Sequence, residues 1–137
     1  MKKFAKVMAV VLVAVMSLAL LVACGPNADP DKAVASLKKN EYAAGKDTLL
    51  AGTLKALGVA DIDAVVKGTK SVKGDDNKTK IETVTIVYFK DSKAAEAAWE
   101  KLEKYADDQK GDSKDWTVGQ TGALIYWGTT AAVKAAR

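Results

Sequence analysis

The 137-residue chain contains no histidine, a single cysteine and two prolines. Without histidine it has no Ser-His-Asp or Cys-His mechanism, no histidine metal ligand, and no side chain that ordinarily titrates near neutral pH. Acidic residues are missing from positions 1–23, and Val7 to Ala23 is apolar except for Ser17. Setting that segment and its three lysines aside leaves 114 residues with 18 basic and 17 acidic side chains. The formal charge of that portion is +1, against +4 for the whole chain. Basicity therefore gives no footprint for nucleic acid. The length suits one domain.

What is present first is a leader. Lys2, Lys3 and Lys6 form a positive flank, a 17-residue apolar run follows, and small residues close it. That is the order of a secretory signal. A membrane span needs ~20 apolar residues, so length alone leaves a retained span open. Leu21-Val22-Ala23-Cys24, followed by Gly25, resembles the lipobox of bacterial lipoproteins. The resemblance implies that the Cys24 thiol receives a diacylglyceryl group, that a peptidase cuts before it, and that Cys24 becomes the first mature residue. Lipidation would also remove the only thiol, a liability in an oxidising compartment. Two or more acyl chains anchor a protein stably where one does not. The expected organisation is a cleaved signal peptide over 1–23, a lipidated tether over 24–29 and a single extracytoplasmic domain over 30–137. The expected location is the cell membrane, lipid-anchored on its outer side, and the expected partner is that membrane.

Asp29-Pro30-Asp31 reads as a capped helix start, with the helix running to about Lys39. A second helix is predicted from about Lys46 to Leu57 and ended by Gly58. Val65, Val66, Thr69 and Val72 favour a strand, Gly74 to Lys78 a turn, and Thr79 to Lys90 a second strand of alternating pattern. Asp91-Ser92 caps a helix to about Asp108, whose apolar stripe is Ala95, Ala98, Trp99, Leu102, Tyr105 and Ala106. Trp116–Thr121 and Ala123–Gly128 make another strand pair, and Thr129-Thr130 can cap a last helix over Ala131–Ala136. The expected fold is α+β, a two-layer sandwich with a mostly antiparallel sheet in the order ββαββα, preceded by N-terminal helices. The stretch from Val84 to Ala136 resembles small uncharacterised lipoproteins of Gram-positive bacteria through Tyr88-Phe89-Lys90-Asp91 and Ile125-Tyr126-Trp127-Gly128-Thr129. That resemblance implies no activity.

Chemistry-bearing motifs are few. Ser36-Leu37-Lys38-Lys39 matches the Ser-x-x-Lys of penicillin-binding enzymes, but the accompanying Ser-Asp-Asn and Lys-Thr-Gly elements are absent. Asp61-Ile62-Asp63 and Asp75-Asp76-Asn77 lack the ligand set of a calcium loop. Lys38, Lys39, Lys67, Lys70, Lys73, Lys78 and Lys80 could make a basic edge, but acids interrupt it. No catalytic residue, metal ligand or cofactor is assigned. A one-sided helix layer would leave one sheet face open. Of each adjacent pair, Tyr88-Phe89 and Tyr126-Trp127, one member should lie there. Tyr126 is expected to face the core and Trp127 the open side, with Phe89, Thr83 and Thr85 completing a face for an envelope protein or polymer. The alternative is that the N-terminal helices cover that face. Trp99 is expected to be a core anchor. The functional expectation is a non-catalytic binding or structural lipoprotein domain, with a ligand-binding or sensory accessory module as the rival.

Overall fold

The computed structural model describes residues 25–111 and 113–137; the expected signal peptide and Cys24 lie outside the described residues. In chain order the elements are α1 (Pro30–Lys39), β1 (Ala43–Lys46), α2 (Thr48–Ala56), β2 (Ile62–Lys73), β3 (Thr79–Phe89), α3 (Ser92–Lys110), β4 (Trp116–Thr121), β5 (Leu124–Thr129) and α4 (Thr130–Ala135). Three helices begin at an aspartate that accepts hydrogen bonds from the otherwise unpaired first-turn amides. Asp29 accepts from Asp31 N at 2.9 Å, Asp47 from Leu50 N at 2.9 Å, and Asp91 from Ala94 N at 2.8 Å. Thr129 precedes α4 but makes no cap. Its hydroxyl instead accepts from Thr83 N at 3.1 Å, tying the end of β5 to β3.

The five strands lie in the order β1-β2-β3-β5-β4, with every neighbouring pair antiparallel. The α+β class and the antiparallel sheet agree with the sequence expectation. The strand β1 was not expected; it pairs Ala43–Lys46 with Val66–Thr69 and lies between the first two helices. In the β2–β3 hairpin the Gly74 amide donates to the Lys78 carbonyl at 2.9 Å, and the register sets Lys67 opposite Thr85 and Thr69 opposite Thr83. Residues 70–73 and 79–82 extend past the pairing of β1 and β5 as a two-stranded ribbon.

The two-layer expectation is corrected by the packing, because both sheet faces are covered. Val66, Val84, Ile86, Tyr88, Leu124 and Tyr126 pack against Ala33 and Leu37 of α1 and Ala132 and Val133 of α4. On the opposite face, Val65, Val87, Phe89, Ile125 and Trp127 pack against Leu54 of α2 and Ala95, Ala98, Leu102 and Ala106 of α3. The molecule is therefore helix, sheet, helix. The physical reason is the sheet itself: β2, β3 and β5 carry large apolar residues at both parities, and each face needs a cover.

The expected tether is likewise folded onto the domain from residue 25. Gly25 and Pro26 are buried. The Asn27 amide donates to the Ala136 carbonyl at 2.8 Å, and the Tyr88 hydroxyl donates to the Asn27 carbonyl at 2.6 Å.

Candidate functional site

Three of the four residues expected on an open face do meet, but in a cleft under helices. One cross-strand row joins Lys67 of β2, Thr85 of β3, Trp127 of β5 and Val118 of β4. The next row toward the ribbon pairs Thr69 with Thr83, and Trp116 lies opposite Thr129. Alternation puts Lys67, Thr83, Thr85, Trp116 and Trp127 on the α2–α3 face. There α2 lies on β2, while α3 lies on β3, β4 and β5. The gap between the two helices is a cleft of about 300 Å³, lined by these five residues together with Asp47, Leu49, Leu50, Thr53, Tyr105 and Gln109.

Trp127 is 2% exposed and forms the cleft's inner wall rather than an open platform. Tyr105 meets it edge-on, with ring centroids 5.8 Å apart and planes at 64°. That arrangement favours the ring quadrupoles and holds the indole in one orientation. Tyr126, expected alone in the core, is also buried, but against α1 and α4. Thr85 is 5% exposed and Thr83 partly buried, and both line the cleft. Phe89, 3% exposed, does not line it; it packs on the same sheet face farther along β3.

The cleft's polar groups are unevenly committed. The Asp47 carboxylate already caps α2 through Leu50 N. Lys67 is exposed and takes part in none of the ion pairs formed among the described residues. Trp116 Nε1 is buried without a hydrogen-bond partner, a state that costs free energy. A bound molecule with an anionic or strongly polar group would pair with Lys67, which is otherwise solvated. Leu49, Leu50 and Tyr105 supply apolar wall.

Sequence reasoning missed Lys67, Asp47, Thr53, Tyr105, Gln109 and Trp116 as members of one site. For Lys67 a signal existed: a tight turn over Gly74–Lys78 fixes the hairpin register and sets Lys67 opposite Thr85. The other motifs have structural occupations. Ser36 Oγ donates to the Ala135 carbonyl at 2.8 Å, bracing α1 against α4. Asp76 accepts from Lys78 N at 3.1 Å within the hairpin turn. Of the lysine edge, Lys70 approaches Glu41 at 4.0 Å, and Lys80 pairs with Asp115 at 3.3 Å and Glu82 at 3.6 Å. Among the described residues, no group of His, Cys, Asp or Glu could hold a metal ion, and no helix is long and apolar enough to cross a membrane. No protein-family model, curated protein or solved structure matches the chain.

Proposed function

We propose that this protein is a bacterial lipoprotein, anchored through Cys24 on the outer side of the cell membrane, whose single non-catalytic domain binds a small polar ligand or the end of an envelope polymer in the α2–α3 cleft. The lipobox-like Leu21-Val22-Ala23-Cys24 supports the anchor. The observation that carries the binding function is the Lys67–Thr85–Trp127 row beside the unpartnered Trp116 Nε1. A cleft of about 300 Å³ lies at the small end of ordinary ligand sites, so it suits one sugar unit or a short peptide end. The lining combines hydroxyls, one amide, one ammonium and aromatic edges, which is equipment for recognition. Its one carboxylate is occupied as a helix cap. This favours a ligand-binding module over a purely structural domain.

Tryptophan emission of the full chain, titrated with soluble disaccharide-peptide fragments of bacterial cell wall, tests the assignment. Trp116 and Trp127 report directly from the cleft walls. A saturable change is expected, and Lys67→Ala should weaken it by about tenfold, the cost of one charge-assisted hydrogen bond. Emission that stays flat, or affinity unchanged in Lys67→Ala, contradicts this choice of ligand and site.

A further inference from the structure

The segment from Gly25 to the first helix is packed on the domain. A free linker over residues 24–28 would let the domain wander by up to ~17 Å from its anchor. Instead, Gly25 and Pro26 are buried, and Asn27 is fixed at both its amide and its carbonyl, by Ala136 and Tyr88. The Asn27 side chain also accepts from Asp29 N at 2.9 Å, and Asp29 caps α1. Residues 27–29 thus lie in a sheet-end contact, a turn and a helix cap, and Pro30 opens α1. Cys24 directly precedes Gly25 in the chain.

The place of that attachment is specific. Gly25 to Ala28 lie beside Asp63, Tyr88, Phe89, the turn at Thr121–Leu124 and Arg137, all at one end of the sheet. The Phe89 amide donates to the Ala123 carbonyl at 2.7 Å, so the end of β3 and the β4–β5 turn form one edge. From Phe89, β3 runs four residues, about 13 Å, to Thr85 in the cleft, and ten residues, about 33 Å, to Thr79 at the base of the hairpin turn.

We propose that the lipid on Cys24 seats the domain directly on the bilayer by the sheet end that exposes Lys90 and Gly122, with the cleft and the β2–β3 ribbon held outward. This inference rests on the lipid-anchor reading and adds the surface that meets the membrane. The charges around that end are of both signs, Lys90 and Arg137 with Asp61 and Asp63. The seat is therefore imposed by the covalent lipid and the docked segment, and it does not require anionic lipid. Residues 25–28 act as a rigid foot, so the cleft faces the envelope rather than the bilayer.

Depth measurement tests it. Lys90→Cys and Asp75→Cys each place a thiol on an exposed residue, one at the proposed seat and one in the hairpin turn. Each full-length variant is produced in a bacterium, labelled with a fluorophore, and reconstituted into phosphatidylcholine vesicles carrying doxyl-labelled lipid as quencher. Intact mass reports whether Cys24 carries lipid. Quenching at position 90 should exceed that at position 75 several-fold, and Tyr88→Phe, which deletes the pin on Asn27, should narrow the difference. With Cys24 lipidated, equal quenching at the two positions overturns the fixed seat and leaves the anchor standing. A full-length chain whose Cys24 bears no lipid overturns the anchor, and the seat with it.

Discussion

Trp127 is almost fully buried, where its sequence context suggests a residue on an open face. Trp99 stands on the apolar stripe of the best helix pattern, yet it is only partly buried against the α2–α3 cluster. Trp127 sits on β5, paired on both sides by β3 and β4, with α3 above it. Truncating a fully buried tryptophan costs ~3–5 kcal/mol, and a partly exposed one less. Denaturant unfolding should therefore show Trp127→Ala losing distinctly more stability than Trp99→Ala; equal losses would contradict this packing. Tyr88 carries the largest share of an alkaline pH dependence to which Tyr42 and Tyr126, also raised by burial, contribute. Burial, with a smaller effect of the Asp29 charge, raises the Tyr88 phenol well above the ordinary value near 10. With the folded value above the unfolded one, stability is full below about pH 10 and declines as pH rises from there through the folded value. Tyr88→Phe should flatten that alkaline decline, which denaturant unfolding on both sides of pH 10 would measure. An unchanged decline would show that Tyr88 is not the main group responsible.

At the scale of the element, local chemistry was legible where it was self-contained. Asp29, Asp47 and Asp91 each have a first-turn amide within reach, so α1 and α3 start where their aspartates imply. Asp47 moved the start of α2 from the expected Lys46 to Thr48. Asp91→Ala should cost about 1 kcal/mol in a thermal or denaturant melt, the usual worth of an N-cap, and Asp91→Asn much less. Equal losses in the two variants would mean that the carboxylate's charge, not its hydrogen bond to Ala94 N, matters. The strand β1 was illegible for the opposite reason. Ala43-Ala44-Gly45-Lys46 has no β-branched residue and becomes a strand only because the β2 edge offers its free backbone groups. Thr129 shows a local rule overridden: its hydroxyl serves Thr83 of the neighbouring strand rather than the helix it precedes.

The whole molecule turns on which way the helices cross the sheet, and that is not written in any one segment. β3 and β4 run parallel with β5 between them, so α3 must carry the chain over β5. It lies on the Trp127 face, while α1 and α4 close the Tyr126 face. Large apolar residues stand at both parities of β3. They could not show that two separate sets of helices would cover the two faces. The threonines and Trp127 were legible as a group because strand parity alone puts them together. The cleft around them was not, because Asp47, Tyr105 and Gln109 arrive from helices whose placement depends on the whole sheet. The proposed function and the proposed seat both stand on the anchor. Growth of cells with radiolabelled palmitate, comparing the native chain with Cys24→Ala, tests it most directly. The native chain should incorporate label and lose residues 1–23, and Cys24→Ala should do neither. Label in the Cys24→Ala protein, or none in the native chain, would contradict it.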